Sequence, residues 1–178
     1  SYNGSSWIQL GNDIDDTNIA GLVDRFGVSI SMNANGEIVA IGATYSNGTN
    51  NMYESGHVGI YNWDGTSWNQ LGNDIGGEYY DDNSGHSISI SSNGHTIAIG
   101  APENDGNGSG AGHVRVYTWD GTTWNQLGND IDGEASGDES GHSVSLSSDG
   151  NTVAIGAPQK NDENGNNSGH VRVYTWDG

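Results

Sequence analysis

"GHSVSLSSDGNTVAIGAP" occupies residues 141–158 and reads as two strands joined by a turn. Val144 and Leu146 alternate with serines, the period of two expected of a strand with one face in a core. Asp149-Gly150 tolerates positive φ at both positions and predicts a two-residue hairpin. Beyond it, Val153 and Ile155 share one face while small Ala154 and Gly156 share the other, which allows a neighbouring sheet to pack closely. Nearly the same phrase stands at 26–44, "FGVSISMNANGEIVAIGAT", and at 85–102, "GHSISISSNGHTIAIGAP".

Outward from this phrase the likeness continues. "SGHVGIYNWDG" (55–65), "AGHVRVYTWDG" (111–121) and "SGHVRVYTWDG" (168–178) form a third strand, with Val171 and Val173 on one face and Arg172 and Tyr174 on the other. "WIQLGNDI" (7–14) and "WNQLGNDI" (68–75 and 124–131) form a fourth. Asp120-Gly121 supplies the tight turn between strands three and four. Trp7, Trp68 and Trp124 are 61 and 56 residues apart, so the chain is three copies of one unit. With strands lettered a to d, it runs d, abcd, abcd, abc: a segment d at 1–14, repeat 1 at 15–75, repeat 2 at 76–131 and repeat 3 at 132–178, in a single repeat domain. No segment has helical periodicity. The expected fold is all-β, three four-stranded antiparallel blades of β-propeller type with a seam strand d at the N-terminus.

The 178 residues include 30 Gly, 6 Trp and 8 Tyr, with only 4 Lys and Arg against 23 Asp and Glu. The net charge of −19 reflects missing cations more than abundant acid, since charged residues are 15% of the chain. Such a surface repels phosphate backbones and anionic lipid heads, which argues against nucleic acid and membrane partners. Without Cys there are neither disulfides nor thiolate metal sites. No apolar run is long enough to span a bilayer. No signal peptide precedes Ser1, and the absence of an initiator Met suggests a processed chain or a fragment.

The phrase at 141–158 resembles the FG-GAP repeat of integrin α-chain β-propellers, and Phe26-Gly27 with Gly42-Ala43 keeps that pattern in the first copy. The resemblance implies a propeller with an extracellular, non-catalytic binding or scaffolding role. One departure matters. Calcium-binding FG-GAP repeats carry several acidic residues in the a–b turn, whereas here the turns "NANGE", "SSNGH" and "SSDGN" offer one carboxylate at most.

Calcium remains the candidate cofactor elsewhere. In the b–c loop "PENDGNGSGAG", Glu103, Asp105 and Asn107 followed by Gly108 have the spacing of the first EF-hand ligands, although the twelfth position is Val114. In the third copy this register gives Lys160, Asp162 and Asn164. Asp24, Asp82 and Asp138 recur before strand a, as Asp13, Asp74 and Asp130 do after "LGN", and recurrence argues for turn or inter-blade bonding over catalysis. The recurring His57, His113 and His170, and His86 with His142, read as blade-to-blade hydrogen-bonding residues. The Trp63/Trp68, Trp119/Trp124 and Trp176/Trp7 pairs read as core or cross-strand packing rather than a sugar platform. Sequons at Asn47, Asn107 and Asn166 share one loop and are glycosylation candidates, with a further one at Asn3. No catalytic constellation emerges, and an enzyme is not expected.

An orphan d and an abc sheet are complementary. The expectation is an assembly seam of Trp7, Ile8, Leu10, Val171 and Val173, in which residues 5–14 pair with 169–176 of another copy or of an adjoining repeat. Ring, filament and excerpt from a longer propeller all satisfy it. The expected role is a non-catalytic extracellular structural or adhesion module, with extracellular proteins or glycans as further partners. The alternative is a glycan-binding lectin with one site per blade.

Overall fold

The computed structural model describes residues 4–16, 24–49, 52–160 and 167–178. The first sheet contains β1 (Ser29–Met32), β2 (Ile38–Ala43), β3 (His57–Trp63), β4 (Trp68–Gln70) and β5 (Ile75–Gly76). The second contains β6 (Ser87–Ile90), β7 (Thr96–Ala101), β8 (His113–Trp119), β9 (Trp124–Gln126) and β10 (Ile131–Asp132). The third contains β11 (Ser143–Leu146), β12 (Thr152–Ala157) and β13 (His170–Thr175). No helix occurs among the described residues. All strand pairings are antiparallel, with registers that repeat: Val144 faces Ile155 as Ile88 faces Ile99 and Ile30 faces Ile41. Among the described residues the three sheets form an open series.

Three sequence expectations need correction. Strand d is not continuous, because β4 and β5 each pair with β3 and are separated by a turn at Leu71–Asp74, where Gly72 has a φ of +78°. The a–b and c–d turns are longer than two residues. Ser147 N donates to Thr152 O across four intervening residues, and the Ser147 hydroxyl accepts from Thr152 N, so a side chain closes the wider loop. At the c–d turn the Asp120 carboxylate accepts from the amides of Thr122 and Thr123 and from the Thr122 hydroxyl. These donors hold its pKa well below the ordinary carboxylate range. Finally, residues 5–14 hold a single bridge at Trp7 and no longer strand.

The core is two apolar layers between stacked sheets. Ile38, Ala40, Val58 and Ile60 of the first sheet meet Ile90, Ile97, Ile99 and Tyr117 of the second. Ala98, Val114 and Val116 of the second meet Val153 and Ile155 of the third. Each fully buried Ile or Val contributes roughly 1.5–3 kcal/mol by leaving water. Each sheet gives one set of residues to the layer before it and another to the layer after it, so the junction has a direction. At its tightest point, a Cβ on Gly42 would lie 3.1 Å from the Gly85 carbonyl carbon, and one on Gly100 would lie 2.9 Å from that of Gly141. Serines lock the same places: Ser29 Oγ donates to Gly85 O at 2.5 Å and Ser87 Oγ to Gly141 O at 2.7 Å.

Candidate functional site

The b–c loop of the second unit runs from Pro102 to Gly112 on the rim of the sheet. Glu103 and Asp105 line a polar cleft with Tyr80, Asp81 and Glu139. Asp105 is committed locally, its Oδ1 accepting from Gly110 N at 2.8 Å. Asn107 turns its amide nitrogen to the next sheet's approach segment, donating to Gly133 O at 2.9 Å and Glu134 O at 3.4 Å. That nitrogen is also the one a glycan would occupy. Asn47 is half-buried in the corresponding loop, and Asn3 and Asn166 lie outside the described residues.

The third-copy register shifts by one residue. Lys160 N bonds Ala157 O as Asn104 N bonds Ala101 O, and Gly169 N bonds Lys160 O as Gly112 N bonds Asn104 O. Lys160 therefore replaces Asn104, not Glu103, because strand pairing anchors the start of the loop and leaves the extra residue further along. Asp162 and Asn164 lie outside the described residues.

Asp82 and Asp138 are buried. Asp82 accepts from the amides of Glu78 and Tyr79 and from Asn104 Nδ2, which ties the incoming turn to the b–c loop. Burial raises its pKa above the usual carboxylate range, against the pull of those donors. Asp138 accepts from Ala135 N and from Lys160 Nζ at 3.3 Å.

A cluster that the sequence reading missed sits at the first junction. Arg115, on β8, donates to Gly76 O at 2.8 Å and lies 3.5 Å from Glu78 Oε1. His113, 1% exposed, has Nδ1 3.7 Å from Asp130 Oδ2. Burial, and then the Arg115 charge, pushes the His113 pKa down to about 4, so the ring is neutral at pH 7. Burial also raises Glu78. Glu78, His113 and Asp130 place one ligand atom each within 4.8 Å of one another, the one such group among the described residues. The guanidinium already holds the Glu78 carboxylate, and a divalent cation would have to compete with it. The second junction repeats the staple: Arg172 donates to Asp132 O at 2.6 Å and lies 3.7 Å from Glu134. The signal was present in the recurrence of Arg115 and Arg172 against Glu78 and Glu134, in a chain nearly without cations.

The histidines divide. His113 bonds within its own unit rather than between units, whereas His86 and His142 bring their rings to 4.7 Å across a junction, where the first unit has Val28. Both tryptophan pairs are cross-strand, Trp63 with Trp68 at 5.4 Å and Trp119 with Trp124 at 5.3 Å. Trp124 Nε1 also donates to Leu71 O, and Trp68 Nε1 to Leu10 O. Trp7 is 84% exposed. Val171 and Val173 lie on the face of β13 turned away from the second sheet, not at its edge, and are more than half exposed.

No curated protein matches the sequence. A solved structure described as the crystal structure of the tricorn protease is 12% identical with a TM-score of 0.45, covering 76% of this chain and 12% of that one. Residues 131–174 match the family described as FG-GAP repeat. This segment, which is similar to the FG-GAP repeat, carries the end of the second sheet, the Glu134 to Arg172 staple and the whole β11–β12 hairpin.

Proposed function

We propose that this chain is a β-propeller-type module whose three sheets are blades, with a non-catalytic structural or adhesion role outside the cell. The observation that carries this reading is how the polar groups of the two junctions are used. Arg115 and Arg172 are spent on joining one sheet to the next, and Asp82 and Asp138 on tying each unit's incoming turn to its own b–c loop. Chemistry requires a group held ready for a substrate, and these are held for each other. Glu103 and Asp105 at the rim remain the candidate calcium ligands. The test is bead adhesion: beads coated with the folded protein should cluster or bind matrix proteins, and uncoated beads should not. A glycan-array signal that disappears in Trp68→Ala and Trp124→Ala proteins, with no bead adhesion, would replace this reading with a lectin.

A further inference from the structure

Val28, His86 and His142 occupy the same place in the three units, one residue before strand a. The same left-handed turn presents each of them. Arg25, Asn83 and Glu139 have φ of +53°, +55° and +53°, and their carbonyls accept from the amides of Val28, His86 and His142. Repetition of the turn brings the two imidazoles to 4.7 Å across the second junction, tilted by 57°. His86 is half-buried and His142 exposed. Neither ring is held by a side-chain hydrogen bond among the described residues.

Both rings line a cavity of about 210 Å³ that all three units share, with Glu103, Glu139, Arg25 and Tyr45 also in its wall. Glu139 already accepts from Gln159 Nε2 at 2.6 Å. No hydrogen bond or ion pair holds the Glu103 carboxylate among the described residues, and its side chain is exposed and able to turn. The Arg25 guanidinium lies over the Tyr45 ring at 4.0 Å. Two carboxylates against one guanidinium leave the wall with one net negative charge, in a chain of −19, so the field favours a cation. Burial, and then the neighbouring His142, lower the His86 pKa, so this ring is neutral at pH 7 and offers a lone pair.

We propose that His86, His142 and Glu103 bind one divalent transition-metal ion of the zinc type at the second junction. Two imidazoles and a carboxylate make a donor set for zinc, nickel or copper, whereas calcium takes oxygen ligands. Rings bonded to one ion through bonds of about 2.0–2.1 Å stand a few ångströms apart, and these two already do. The ion pins the second unit, which supplies His86 and Glu103, to the third, which supplies His142. Val28 has no donor atom, so the first junction lacks the site. The cluster of Glu78, His113 and Asp130 is a different case, because there Arg115 competes for the carboxylate. Metal binding at His86 and His142 does not depend on the adhesion reading.

Titration calorimetry of the untagged full chain with zinc chloride should give one site per chain, and excess calcium should not displace the zinc. His86→Val and His142→Ala should each weaken binding at least about tenfold, because losing even an outer partner of a metal ligand costs about 10–100-fold. Glu103→Gln should also weaken it, while His95→Ala, on the exposed a–b turn, should not. His86→Val places at the second unit the residue that the first unit carries, so its circular dichroism should stay native; if it misfolds, the exposed His142 carries the test. Electron paramagnetic resonance with copper(II) counts the donors directly: two imidazole nitrogens in the parent and one in either histidine variant. No zinc binding, binding unchanged in the variant that folds, an equal loss in His95→Ala, or displacement by calcium would overturn the proposal.

Discussion

Replacing Gly100 with alanine adds one methyl group where β7 approaches the segment before β11. The new Cβ would lie 2.9 Å from the Gly141 carbonyl carbon, closer still to its oxygen, and against Ser87 Oγ. Ser87 can rotate, but the carbonyl is backbone and also accepts the Ser87 hydroxyl. The sheets must part by ~1 Å, and forced overpacking costs about 1–3 kcal/mol, here at the upper end. Alanine returns up to about 1 kcal/mol by restricting the unfolded chain, which leaves a net loss of about 2–3 kcal/mol. For a chain of this size that lowers Tm by about 5–10 °C. Gly156→Ala is the matched control, because its Cβ meets only the rotatable Ser143. Its Tm should move by less than about 3 °C in dilute solution, where the outer face is uncovered. Scanning calorimetry on both proteins makes the comparison. Equal shifts, or no shift in Gly100→Ala, would refute the argument that sheet-to-sheet contact sets the need for glycine.

Arg115→Ala should cost about 2–4 kcal/mol, because it strips a buried donor from Gly76 O and leaves Glu78 uncompensated. Arg172→Ala should cost less, since its side chain is 21% exposed, and thermal melts of the two rank them. Stability should fall as pH drops from about 6.5 to about 4: the unfolded His113 takes its proton near 6.5 and the folded ring resists until about 4. Melts across that range should show the loss, and His113→Gln should flatten it. Calorimetric titration with calcium should give no submicromolar site, because Asp105 and Asn107 already hold backbone partners and the bidentate ligand is missing.

Strand positions were legible because alternation and turn residues act locally: β2, β7 and β12 fall within the "VAIGA"-type phrases, and β3, β8 and β13 on the "GHV" phrases. Burial was not legible in the same way. Val58, Val114 and Val171 occupy the same phrase, yet the first two are fully buried and the third is 68% exposed. The difference comes from the neighbouring sheet, which no local pattern contains. Hairpin length was misjudged because Ser147 and Asp120 close their turns with side chains, a bond that a dipeptide rule does not see. The Arg115 staple escaped for a third reason: its partners are nearly 40 residues away, Gly76 at the end of the first sheet's β5 and Glu78 just after it.

Since the same junction joins first sheet to second and second to third, the chain's stability is a sum over neighbours rather than the property of one closed core. A further unit of about the same length, spliced after Asp132, would meet faces on both sides that it already fits. Nothing upstream or downstream would need redesign. A change at one junction therefore stays local to the two sheets it joins.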